Sequence, residues 1–128
     1  MDLGERIYRL TWTFPRSETY GLSGQLQRAA LSVPSNIAEG RTRSTLKDYL
    51  RFVSIARGSL AEVQTQIMFA ARLEYVPVGE SEKILGEIRD MTRQLNALKN
   101  ALEAKVAQEQ GAVETRNPKP ETYRESIR

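Results

Sequence analysis

The stretch Gln25-Leu-Gln-Arg-Ala-Ala-Leu-Ser-Val-Pro-Ser-Asn-Ile-Ala-Glu-Gly40 carries the strongest constraint on the fold, because it is an amphipathic helical segment with a proline inside it. An internal proline removes one backbone hydrogen bond and presses on the carbonyl four residues back, here Ala30, at a cost of roughly 3 kcal/mol. A chain that keeps Pro34 therefore has a packing or functional use for it. The apolar stripe Leu22, Leu26, Ala29/Ala30, Val33 and Ile37 follows the helical period and reads as core. Gln25, Arg28, Ser32, Ser35/Asn36 and Glu39 recur at the same spacing on the other side, so the use of Pro34 is expected on that polar outer face. Serines beside the proline can return hydroxyl hydrogen bonds to carbonyls one turn back and ease a kink.

The rest of the chain repeats the helical period. Leu3, Ile7, Leu10 and Phe14 predict a short first helix that ends near Thr13, before Phe14-Pro15. The second helix is expected to begin between Glu18 and Leu22, capped by Ser17 or Thr19, and to end with Gly40 as a C-terminal cap. Ser44 is the expected cap of a third helix, whose seam of Leu46, Leu50, Val53, Leu60, Ile67 and neighbours runs to about Leu73, widened by Tyr49, Phe52, Ile55 and Phe69. Gly58 within it predicts close approach of another helix. Pro77 and Gly79 mark a reversal, and Ser81 then caps a fourth helix with the heptad stripe Ile84, Ile88, Met91, Leu95, Leu98 and Leu102. From about Gln108 the apolar period fades. The expected organisation is all-α: an antiparallel up-down-up-down four-helix bundle over residues 1–108, followed by a polar tail over 109–128.

Composition closes off much chemistry. The 128 residues include no cysteine and no histidine, which removes thiolate nucleophiles, disulfides, thiolate metal sites and the usual general base. The sixteen acidic residues form no dense cluster, so no metal site, cofactor or enzymatic activity is expected. No apolar run approaches the roughly 20 residues that span a bilayer, and the expectation is a cytoplasmic protein without membrane contact.

Charge is more informative in its distribution than in its sum of +3. Arg28, Arg41, Arg43, Lys47, Arg51 and Arg57 stand against only Glu39 and Asp48 in that interval, a local excess of four positive charges. Such a patch suits RNA or DNA backbone, since phosphate neutralisation supplies most non-specific affinity; the alternative is a solvated corner whose arginines pair with Glu39 and Asp48. The polar stripe admits three readings: solvated surface, a ligand site, or an interface between subunits formed by Gln25, Ser32, Ser35, Asn36 and Glu39 together with Gly58. A carboxylate pair of Glu39 with Asp48 or Glu62 is a weaker idea, since no spacing enforces convergence. Tyr8, Trp12, Phe14, Tyr49 and Phe52 could stack on bases, but at helical spacing they read as core.

The succession Ile7-Tyr-Arg-Leu-Thr, Phe14-Pro-Arg-Ser-Glu, Tyr20-Gly-Leu-Ser-Gly-Gln, Arg28 through Gly40, and Phe52-Val-Ser-Ile-Ala-Arg-Gly-Ser-Leu-Ala-Glu62 resembles the bacterial four-helix-bundle proteins of the 23S rRNA intervening-sequence family. The resemblance covers Ile7 to Leu102 and departs from the family in its short first helix. That family is similar to the accessory variability protein of diversity-generating retroelements, a homopentameric barrel that associates with a reverse transcriptase and nucleic acid. The resemblance implies a homo-oligomer of five bundles with those two kinds of partner, and no established reaction. The expected function is that of a non-enzymatic oligomeric adaptor on an RNA or DNA backbone, the rival being a self-assembling interaction module that binds no nucleic acid.

Overall fold

A computed structural model describes residues 2–116, with side chains described for residues 3–111. Four helices follow one another: α1 (Asp2–Thr11), α2 (Leu22–Arg41), α3 (Leu46–Arg72) and α4 (Val78–Arg116), with a 3-10 turn at Arg16–Glu18. Among the described residues there is no strand, and no helix is long and apolar enough to cross a membrane. α4 continues through the first residues assigned to the polar tail, and residues 117–128 lie outside the described residues.

The helices pack antiparallel around one core because their stripes meet. Ile7, Leu26, Leu60, Ile67, Ile84 and Ile88 are fully buried, and one or two come from each helix. Polar contacts fix the register between neighbours. Gln27 donates to Thr11 Oγ1 at 2.8 Å, joining α2 to α1, and Arg57 Nε donates to Asn96 Oδ1 at 2.7 Å, joining α3 to α4. Arg6 pairs with Glu87 between α1 and α4. The Phe14 and Tyr75 rings pack in a tilted arrangement with centroids 5.3 Å apart and tie the α1–α2 link to the α3–α4 turn.

The helix ends depart from the residue pattern in instructive ways. α1 stops at Thr11, two residues early, where Thr11 Oγ1 donates to the Tyr8 carbonyl at 2.8 Å and Thr13 Oγ1 to that of Leu10 at 2.7 Å. Neither Ser17 nor Thr19 caps α2; Gly21 occupies that position without a side-chain cap. Thr45, not Ser44, caps α3, accepting from the Asp48 backbone N–H at 3.1 Å. The α3–α4 reversal is made by Glu74, whose φ of 63° is left-handed. Glu74 N–H reaches the Ala71 carbonyl and Tyr75 N–H that of Ala70, both at 3.0 Å, which is the Schellman arrangement usually built on glycine. Gly79 lies inside α4, and Ser81 is a buried residue one turn into it, its hydroxyl donating to the Val78 carbonyl at 2.8 Å.

Two glycines depart from their expected parts. Gly40 does not cap α2: it is helical and buried, and a Cβ there would lie 2.9 Å from both Phe52 Cβ and Tyr49 Cδ1. It is the point of close approach between α2 and α3. Gly58 faces open space, with nothing within 4 Å of a Cβ built on it. Ile55 and Phe69 are likewise outside the core, 42% and 56% exposed.

Pro34 sits in a continuous helix and lines a mainly apolar cavity of about 360 Å³ with Leu3, Ile7, Ile37, Arg41 and Met91, so it faces α1 and α4 rather than the outer polar stripe. The side-chain amide of Asn36 donates to the Ser32 carbonyl at 2.8 Å. That bond, and not a serine returning to its own helix, supplies the polar support beside the proline.

The glycine assignments give opposite stability effects. Gly40→Ala is expected to lose about 1–3 kcal/mol by overpacking against Tyr49 and Phe52. Gly4→Ala, in α1 with nothing within 4 Å of its added Cβ, is expected to gain up to about 1 kcal/mol. Urea denaturation of both variants, at one protein concentration, measures the difference.

Candidate nucleic-acid interface

The corner between α2 and α3 is built on Gly40. Its bare backbone lets the Tyr49 and Phe52 side chains settle against the end of α2, leaving Phe52 buried. Two guanidiniums rest on the Phe52 ring: Arg43 at 4.7 Å from its centroid and Arg51 at 4.6 Å. Attraction between each cation and the ring quadrupole holds both arginines at the ring, each contact being worth about 0.5–1 kcal/mol at an exposed site. The turn beneath them is pinned at both ends, by Thr42 Oγ1 donating to the Glu39 carbonyl at 2.7 Å and by the Thr45 cap. Arg43 also pairs with Glu39 one turn back.

Arg41, Arg43, Lys47 and Arg51 of the sequence cluster are all exposed, Arg43 and Arg51 at the Phe52 ring and Arg41 at the rim of the cavity lined by Leu3, Ile7 and Met91. Arg41, Lys47 and Arg51 make no ion pair among the described residues. Asp48 directs its backbone N–H into the Thr45 cap and pairs with none of these cations. An exposed group of unneutralised cations on a fixed turn attracts polyanions, and phosphate oxygens in particular fit guanidinium forks.

Arg28 and Arg57 do not join that group. Arg28 precedes Arg41 by thirteen helical residues, roughly 20 Å along the axis, and lies against Gly24, where a Cβ would sit 3.1 Å from its Nη1. Arg57 is half-buried and held by Asn96. Spacing along the chain brought them into one cluster; helix geometry separates them.

The residues expected at an oligomer interface divide in the same way. Ser32 and Asn36 are engaged within the chain: the hydroxyls of Ser32 and Ser59 share a hydrogen bond at 2.7 Å across α2 and α3, and Asn36 Nδ2 donates to Ser32 Oγ at 2.9 Å. Gln25, Ser35, Glu39 and Gly58 are exposed. Gly58 lies on an outer face of α3 that also carries Ser54, Ile55, Ala61, Thr65, Met68 and Phe69, all exposed. A solvated helix face normally carries charge, and between Arg57 and Arg72 this helix has only Glu62.

Among the described residues, no three acidic side chains come together as a metal site, so Glu39, Asp48 and Glu62 form none. Of the aromatics, Phe14 and Phe52 are buried, Tyr8 and Tyr49 half-buried. Trp12 leaves the core, 70% exposed, with the Arg9 guanidinium 6.0 Å from its ring. One group of residues escaped the sequence reading: Glu62 and Gln66, with Ser59, face Gln25, Arg28 and Ser32 across a polar groove between α3 and α2. The steps of three and four residues from Ser59 to Glu62 to Gln66 repeat those from Gln25 to Arg28 to Ser32, and that matched polar spacing is the signal.

These features define a four-helix bundle with a cationic corner. The chain belongs to the 23S rRNA-intervening sequence protein family, whose family model matches residues 1–97. Among solved structures it is similar to a protein of unknown function from the S23 ribosomal protein family of Bacteroides thetaiotaomicron VPI-5482. The TM-score is 0.71 at 20% identity, over 77% of this chain and 92% of that one, a likeness in fold. No curated protein matches the chain.

The Ser32–Ser59 hydroxyl pair closes α2 onto α3 beneath these sites. Ser32→Ala and Ser59→Ala are each expected to lose about 1 kcal/mol, and the double variant less than their sum, because both remove one shared bond. A chemical-denaturation double-mutant cycle measures the coupling.

Proposed function

We propose that this protein is a non-enzymatic, self-associating helical adaptor that holds the phosphate backbone of RNA or DNA at the α2–α3 corner, in the cytoplasm. The observation that carries the reading is the arginine pair mounted on Phe52; Arg41 and Lys47, on the same helix ends, are exposed and make no ion pair among the described residues. Arg41, Arg43, Lys47 and Arg51 are the contacts; Arg28 and Arg57 fall outside them. Exposed cations neutralise phosphate charge whatever the base, so the binding proposed there is of backbone and not of sequence. The family's name links it to a ribosomal RNA gene, which makes RNA the first probe.

Self-association is assigned to the outer face of α3. Ile55, Met68 and Phe69, 42%, 50% and 56% exposed, leave apolar surface around Gly58 and Ala61, where a second helix can approach closely. The same exposed apolar face favours the rival module that assembles without nucleic acid. A ring of five and a reverse transcriptase as protein partner follow from the family resemblance and form part of the proposal.

Fluorescence anisotropy with a mixed-sequence RNA duplex tests the corner. Four phosphate contacts predict an affinity loss on the order of 10²-fold between 50 and 200 mM salt. Arg43→Glu combined with Lys47→Glu is expected to abolish binding, and salt-independent or absent binding by the unaltered protein would contradict the reading. Sedimentation separates the two parts of the proposal: the unaltered protein is expected to run as an oligomer and Phe69→Glu as a folded monomer. A monomeric unaltered protein would refute self-association alone.

A further inference from the structure

The apolar cavity beside Pro34 is elongated and carries its charge at one end. One turn beyond the Arg6–Glu87 pair, between Leu3 and Gly4 on α1 and Met91 and Gln94 on α4, the bundle opens into a space of about 360 Å³. Gly4 contributes to the gap: it has no side chain, and a Cβ built on it meets nothing within 4 Å. The floor is core, with Ile7, Leu60 and Val63 buried. On the walls Pro34, Ile37 and Met91 are half-buried and keep apolar surface open to a ligand. The volume is more than twice the roughly 150 Å³ of an engineered apolar cavity that takes up benzene.

Shape and polarity narrow the ligand. Along α2 the lining runs from Ala30 to Arg41, eleven residue steps and so about 16 Å of helix, with Arg41 at its end. Arg41 is exposed and makes no ion pair, and among the described lining residues none is acidic and Gln94 is the only other polar side chain. An unpaired guanidinium at the end of an apolar slot complements an anion carried on an apolar body. A sugar or a nucleotide would leave its polar groups without partners along these walls. We propose that this cavity binds a medium-chain fatty acid, its alkyl chain lying along Ile37, Met91 and Pro34 and its carboxylate on the Arg41 guanidinium. Pro34, costly inside a helix, then serves as part of the apolar wall. A chain of about ten carbons suits the slot, and its methylenes give an expected dissociation constant of about 10–100 μM. The site shares Arg41 with the proposed nucleic-acid corner but does not depend on that reading, and binding is measured without nucleic acid.

The isotope-labelled full chain is titrated with decanoate below its micelle concentration and followed by amide chemical shifts. Saturable shifts centred on residues 3–7, 33–41 and 91–95 are expected. Octanoate, two methylenes shorter, should bind about tenfold more weakly. Arg41→Gln should weaken decanoate about fivefold, the worth of one exposed ion pair, and leave unchanged the binding of 1-decanol, which has the chain without the charge. The proposal is overturned if decanoate gives no saturable shifts, or if Arg41→Gln leaves decanoate affinity as it was. It is also overturned if the shifts centre on Ile55, Met68 and Phe69, for the alkyl chain then lies on the outer face of α3.

Discussion

The close antiparallel approach of α2 and α3 governs this molecule. It depends on small or compact side chains along one edge of α2: Ala29, Ser32 and Asn36, ending at Gly40, where even a methyl group would overlap Tyr49 and Phe52. Large apolar residues along that edge would push the helices apart, and the Ser32–Ser59 hydroxyl bond of 2.7 Å could not form. Two features follow from this contact. At one end it buries Phe52 so that Arg43 and Arg51 have a ring to rest on; nearer the other it leaves the polar groove of Arg28, Glu62 and Gln66 between the same two helices.

Energetically the two features differ. The corner consists of exposed charges, whose individual pairings are worth little in water, so the polyanion binding proposed for it would come from several cations acting together. The groove between the same helices is lined by polar side chains, and beside it the buried Gln66 Oε1 has no hydrogen-bond partner. The outer face of α3 is a third kind of surface, largely apolar, and Arg51 stands one turn before Ile55 on it, so the proposed assembly face adjoins the proposed nucleic-acid corner.

The number of helices, their order and most of the core were legible in the residues, because a 3.6-residue period over four long segments leaves little choice. The ends were less so. Glycine at the close of an apolar stripe serves a cap or a close contact equally well, and only the position of Phe52 shows that Gly40 does the second. Glu74 takes the left-handed turn position usually held by glycine, which no pattern would reveal. Ser44 and Thr45 are adjacent and both able to cap, so the choice falls to backbone geometry. Pro34, Ile55, Phe69 and Trp12 were misplaced for one shared reason: periodicity says which residues lie on a common face, not which neighbouring helix covers that face or stops short of it. The basic cluster was visible as six residues in sequence, but only Arg43 and Arg51 meet at Phe52, since α2 carries Arg28 away, Arg41 lines the cavity beside Leu3 and Met91, and Asn96 holds Arg57.

If the α2–α3 contact works by mounting the arginines on Phe52, the ring itself should matter to nucleic-acid affinity while the count of charges stays fixed. The most direct measurement is the salt dependence of RNA-duplex binding by Phe52→Leu, a variant that keeps an apolar side chain in the core. The account predicts binding weaker by about tenfold at each salt concentration, from two lost cation–ring contacts, with the slope of log affinity against log salt unchanged. Affinity equal to that of the unaltered protein would contradict it.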